Sequence, residues 1–177
     1  ILPFYFTQIA QYKTNIPQMM WAQALTVELI PHCSMAATHD VGEYNCIHPA
    51  KKKEVGDRLA NLALSNDYGF NNVDVNTPIA SRFEFKENEA IVYFDKVSEL
   101  GLSPRDKDLD GFELAGEDGV FYPAKARVHK NRNILRVRCP EVPNPVAVRY
   151  GMKNWSVATV YNCFGIPVTP FRSDDWE

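Results

Sequence analysis

Apolar and polar residues follow two different rhythms along this chain, and the change falls near residue 70. The first rhythm is that of strands and helices taking turns. Residues Leu2–Ala10, LPFYFTQIA, form a short continuous apolar run, which predicts a strand buried on both faces. Pro17 to Leu29 carries Met20, Ala24 and Val27 at helical spacing, with Pro17 suited to a first turn. Ser34–Thr38 predicts a second strand, and residues 39–47 a loop. A second helix is predicted from Pro49 to Tyr68, with Val55, Leu59, Leu62 and Ala63 as its apolar stripe and Gly69 as its stop.

Beyond residue 70 the period shortens to two. Arg82–Lys86 and Ala90–Phe94 flank a short polar turn and read as a hairpin. Further strands are expected at Gly111–Ala115, Ala124–His129, Ile134–Cys139, Ala147–Tyr150 and Thr159–Tyr161, separated by glycines and prolines. The expected fold class is therefore α/β over residues 1–70, the C-terminal part of a parallel-sheet domain. A linker at 71–78 and an antiparallel β-sandwich-like domain at 79–177 would follow.

Composition narrows the classes. With 45% hydrophobic residues in a chain of 177, a sizeable core can form. A net charge of −3, with both signs dispersed, gives no footprint for nucleic acid or a membrane surface. No apolar run reaches the roughly 18 residues of a membrane span. The opening ILPFYFTQIA lacks a basic leader and a small-residue cleavage site, so it does not read as a signal peptide. A strand of buried type at the first residue predicts a chain that starts inside a domain. The four cysteines, Cys33, Cys46, Cys139 and Cys163, form no CxxC pair, which argues against structural zinc. Buried free thiols are the simpler expectation.

The residue that stands out chemically is His48. It precedes Pro49 at the predicted start of the second helix, just beyond the end of the second strand. A histidine there serves either as a plain helix cap or as a general base for a hydroxyl nucleophile. The partial positive charge of a helix N-terminus disfavours imidazolium, and Asp40 or Glu43 in the same loop would offset it. Asp106-Lys107-Asp108-Leu109-Asp110-Gly111, with Glu117 at the twelfth position, fits a calcium-loop pattern. Glu113 occupies its normally apolar eighth position and no flanking helices are predicted, so a polar hairpin loop is the expected reading. Lys125, Arg127 and His129 with Arg136 and Arg138, near Asn131-Arg132-Asn133, predict a solvated basic hairpin face. Asn154-Trp155-Ser156 is a glycosylation triplet.

The run from Ala36 to Leu59, AATHDVGEYNCIHPAKKKEVGDRL, resembles the final catalytic block of the sialate O-acetylesterase family of SGNH-type serine esterases. The matching residues are Asp40, Gly42, Ile47, His48, Pro49, Lys53, Val55, Gly56, Arg58 and Leu59. LPFYFTQIAQY is similar to the preceding strand of that family. GFELAGEDGVFYPAKARV, PVAVRYGM and GIPVTPFRSDD are similar to its C-terminal β region. The resemblance implies a flavodoxin-like SGNH fold and acyl transfer from an acetylated sugar. It makes His48 the catalytic histidine, with no metal or organic cofactor. Where relatives place an aspartate three or two residues before that histidine, this chain has Asn45 and Cys46, which leaves Asp40 as the nearest substitute or else a Ser–His dyad. No serine here stands in the expected Gly-x-Ser setting. The resemblance thus implies a partner, an N-terminal half of the same protein carrying the nucleophile. It also implies a periplasmic or secreted setting, lysosomal or secretory in a eukaryote, with no nucleic-acid or membrane partner. The contrasting expectation is a non-catalytic carbohydrate-binding or scaffold module in which His48 only caps its helix.

Overall fold

The computed structural model describes residues 2–14, 17–70, 75–95, 97–130 and 133–176. Part of the expected linker and residues Asn131 and Arg132 of the basic turn lie outside them.

Strand β1 (Phe4–Thr7) and strand β2 (Cys33–Ala36) pair in parallel, Phe4 opposite Cys33 and Thr7 opposite Ala36. Helix α1 (Pro17–Leu29) makes the crossover, as a parallel pair requires. It has one charged residue, Glu28, and buries Pro17, Met20 and Ala24, while Met19, Leu25 and Leu29 remain exposed. Helix α2 (Lys52–Asp67) packs on both strands, with Leu62 buried and Leu59 half-buried against Ala36 and Val75. Strand β1 is not covered on both faces: Phe4 is 59% exposed. Its N–H donates to the His32 carbonyl at 2.9 Å, and Leu2, Leu29 and Ile30 are exposed as well.

The rest of the chain builds strands β3 (Ile79–Lys86), β4 (Glu89–Asp95), β5 (Leu102–Ser103), β6 (Leu109–Ala115), β7 (Phe121–Val128), β8 (Ile134–Arg138), β9 (Ala147–Tyr150), β10 (Tyr161–Asn162) and β11 (Phe171–Arg172). Seven of them form one antiparallel sheet in the order β11-β9-β6-β7-β8-β4-β3, while β5 and β10 make a separate pair. The period-two pattern explains the faces. Ala124 and Ala126 on β7 and Leu135 and Val137 on β8 point into the core, while Lys125 and Arg127 point out. The sheet curls until its two edge strands meet through their aromatic rings. Phe83 of β3 lies 5.8 Å from Phe171 of β11, and Phe171 also packs on Phe94, Phe112 and Tyr150.

These observations correct the expected fold class. The protein is mostly β, with two helices among the described residues and a curled, nearly closed antiparallel sheet. It is neither a flavodoxin-like α/β unit nor that unit followed by a β-sandwich. Among the described residues, the strand-helix-strand rhythm of residues 4–36 produces one parallel pair and no larger parallel sheet. The alternating strands close on their own apolar face instead of packing against a second sheet. The second helix also starts later than expected, at Lys52 and not Pro49. Lys51 stands at its N-cap position with no side-chain cap, so His48 precedes the helix and does not cap it.

Candidate active site

The candidate site is the loop that leaves β2. Its base is locked by buried polar groups. The Gln8 side chain donates to the Met20 carbonyl at 3.0 Å and to Thr169 Oγ1 at 2.6 Å, and accepts the Thr38 N–H at 3.2 Å. One amide thus joins the ends of both parallel strands to α1 and to the C-terminal segment. Gly42 lies against the backbone of Gln11, where a Cβ would fall 2.3 Å from the Gln11 carbonyl oxygen. Only a residue without a side chain fits that approach.

Asp40, two residues before Gly42, is held by Arg58 of α2. The guanidinium is bidentate, with Nη1 on Oδ1 at 2.7 Å and Nη2 on Oδ2 at 2.6 Å, and Nη1 also donates to the Ala37 carbonyl at 2.7 Å. The two side chains are 11% and 18% exposed, so the pair is largely shielded from water. Among the described residues no hydrogen bond or ion pair joins Asp40 to His48. Both oxygens of the carboxylate expected to orient the histidine are engaged by Arg58, and that pair fixes the root of the loop to α2.

Glu43 and Cys46 then form an isolated antiparallel bridge, with Tyr44 and Asn45 at the turn between them. Glu43 Oε1 accepts the Ala50 N–H at 2.6 Å, tying the chain before His48 to the chain after it. Pro49 is buried and His48 beside it is exposed. The His48 carbonyl accepts from Cys46 Sγ at 3.2 Å, whereas its imidazole bonds to no group among the described residues. The structure therefore sets the imidazole at the surface of a braced loop, with both ring nitrogens open to an incoming group.

One Ser–His contact exists among the described residues, and sequence reasoning missed it. His39 Nε2 lies 2.9 Å from Ser156 Oγ, and Nδ1 lies 3.0 Å from the Val168 carbonyl. A carbonyl only accepts, so Nδ1 carries the proton and Nε2 accepts from the serine hydroxyl. This resembles a nucleophile and its base. Two observations decide against that role. His39 is 1% exposed, and its burial lowers its pKa to about 4, too low for an effective base at neutral pH. Ser156 Oγ also takes a bond from Gln11 Nε2 at 3.2 Å, so its hydroxyl is already engaged on both sides. The pair is a buried fastener that holds residues 151–157 against the base of the His48 loop. Gly151, at φ +65°, leaves room for it, since a Cβ there would meet His39 Cε1 at 2.8 Å. The two partners are 117 positions apart, so no local pattern announced them.

The other charged motifs are absorbed by the sheet. Asp108 pairs with Arg127 and Asp110 with Lys125, while Glu89 faces Arg138 at 2.9 Å and Arg136 at 3.9 Å. In register, Lys125 lies opposite Arg138 and Arg127 opposite Arg136, a repulsive arrangement that these carboxylates offset. The calcium-like pattern thus falls on strand β6 and its approach, with two of its acids turned toward strand cations. The four cysteines are unpaired, Cys33 and Cys139 buried and Cys163 exposed.

No protein-family model matches this chain, and no curated protein matches it. Its structure is similar to the crystal structure of a carbohydrate acetylesterase from Xanthomonas citri, with a TM-score of 0.85 and 33% sequence identity. The similarity covers 99% of this chain and 42% of the neighbour, so the chain spans less than half of that protein's length.

Proposed function

We propose that this chain is the histidine-bearing part of a carbohydrate acetylesterase of the sialate O-acetylesterase type, with His48 as its general base. The observation that carries the reading is the whole-chain similarity to a carbohydrate acetylesterase at 33% identity. The open imidazole of His48, on a loop braced by the Asp40–Arg58 and Glu43–Ala50 contacts, agrees with it. The serine would come from the remainder of the fold, outside these 177 residues. The exposed Leu2, Phe4, Leu29 and Ile30 support a further part packing on this end of the molecule.

In this mechanism His48 takes the serine proton as the oxygen attacks the acetyl carbonyl. It then gives that proton to the departing sugar oxygen, leaving an acetyl-serine ester. It next takes a proton from water, which attacks the ester, and returns it to the serine as acetate leaves. No cofactor enters. Asp40 contributes through Arg58, by fixing the loop and not by touching the imidazole. The test is acetate release from an acetylated sugar by a polypeptide that joins these residues to the serine-bearing part. Release is the expected result. Sugar binding with no release would assign a non-catalytic binding module instead.

A further inference from the structure

Two aromatic rings meet beside the His48 loop, from segments far apart in the chain. Tyr44 occupies the turn of the Glu43–Cys46 bridge and is 53% exposed. Trp155 comes from the segment after β9 and is half-buried. Their ring centroids are 5.6 Å apart and their planes are perpendicular, at 88°. An edge-to-face pair is favourable in itself, yet it leaves ring surface of the tyrosine open to solvent. Tyr44 is four residues from His48, so their Cα atoms lie within about 14 Å even for a fully extended chain. The Glu43–Ala50 bond closes the loop that carries both residues.

The backbone that carries both rings is held in place. The Tyr44 carbonyl accepts the Lys13 N–H at 3.3 Å, and Lys13 Nζ reaches Asn45 Oδ1 at 3.5 Å. Trp155 is adjacent to Ser156, which His39 and Gln11 hold from the interior. The buried fastener thus has a surface consequence: it holds the segment that presents the indole to the tyrosine. A rigid, partly exposed aromatic corner with amide and ammonium groups at its side suits an amphipathic ring that offers C–H groups on one face and hydroxyls at its rim. A pyranose is such a ring.

We propose that Tyr44 and Trp155 form the sugar-stacking subsite that positions an acetylated pyranose for His48. The inference rests on the esterase reading for its connection to His48, but the subsite is tested by binding alone. The experiment is titration of the 177-residue chain with mono-acetylated glucose, followed by NMR of the three indole N–H signals of Trp21, Trp155 and Trp176. The Trp155 signal is expected to shift saturably while the other two stay in place. Tyr44→Phe should keep that response. Tyr44→Leu, which retains apolar volume without a ring face, should weaken affinity about tenfold. An unmoved Trp155 signal would overturn the proposal, as would equal affinity in the Leu and native proteins when the remaining spectrum shows both folded. Because turnover is not read, failure of the esterase reading leaves this result standing, and the reverse also holds.

Discussion

Replacing Arg58 with alanine removes the guanidinium that joins α2 to the root of the His48 loop. The loss has two parts. Two charge-assisted bonds to Asp40, at 2.6 and 2.7 Å, disappear together with the bond to the Ala37 carbonyl. Asp40 also remains as a carboxylate without its cation, in a setting where its side chain is only 18% exposed. Stripping one partner from a buried ion pair costs about 3–5 kcal/mol. Water can reach part of Asp40, which moves the expectation to the lower end, about 3 kcal/mol. For a chain of this size that corresponds to a fall in Tm of roughly 6–12 °C. The double variant Arg58→Met with Asp40→Asn should cost less than the sum of the single changes, because neither leaves the other's charge buried. Urea denaturation at neutral pH, repeated in molar salt, measures all of this. A shielded pair keeps its value in salt, whereas an exposed one loses it. A cost for Arg58→Ala below about 0.5 kcal/mol, or one that vanishes in salt, would refute the assignment of this pair as the anchor of the loop.

Two further outcomes follow from the same region. Burial lowers the His39 pKa from 6.5 to about 4, so the unfolded chain takes up the proton first as pH falls. The contribution of His39 is therefore complete above about pH 6.5 and is lost as pH falls toward 4, at up to about 1.4 kcal/mol per pH unit. Stability curves over that window should be flatter for His39→Gln than for the native protein, and equal slopes would contradict the burial argument. Gly42→Ala forces a Cβ to within 2.3 Å of the Gln11 carbonyl oxygen, a backbone atom that cannot rotate away, and should cost about 1–3 kcal/mol by thermal melting. A melting temperature equal to that of the native protein would show that the loop gives way freely.

Local rhythm reveals elements in this chain but not the architecture they enter. Helix α1 occupies the predicted Pro17–Leu29, and the β3–β4 hairpin forms around the predicted turn, because both are set by side-chain period and neighbours in sequence. Closure of the sheet depends on Phe83 meeting Phe171, a contact with no local signature. Strands β5 and β11 have two residues each, too short for any period to show, and the strand expected at Thr159–Tyr161 is the two-residue β10, Tyr161–Asn162. The start of α2 was misplaced because Pro49 suits a first helical turn, yet it is buried in the loop while Glu43 takes the Ala50 N–H ahead of the helix. At the site, the block from Asp40 to His48 marked the loop, but not its bonds. Nearness in sequence suggests the Asp40 carboxylate as the partner of His48, whereas the folded chain pairs it with Arg58, 18 positions away on α2. The contacts of Ser156 with His39 and of Trp155 with Tyr44 join residues more than a hundred positions apart, and only the folded chain shows them.

The proposed esterase chemistry depends on the imidazole of His48. In a polypeptide that contains both this chain and the serine-bearing part, His48→Ala should lower kcat for para-nitrophenyl acetate by about a hundredfold to ten-thousandfold, the contribution of a positioned general base. The melting temperature should stay near that of the native protein, since the ring is exposed and bonds to no described residue. Turnover within a few-fold of the native rate in a folded His48→Ala protein would contradict the central claim.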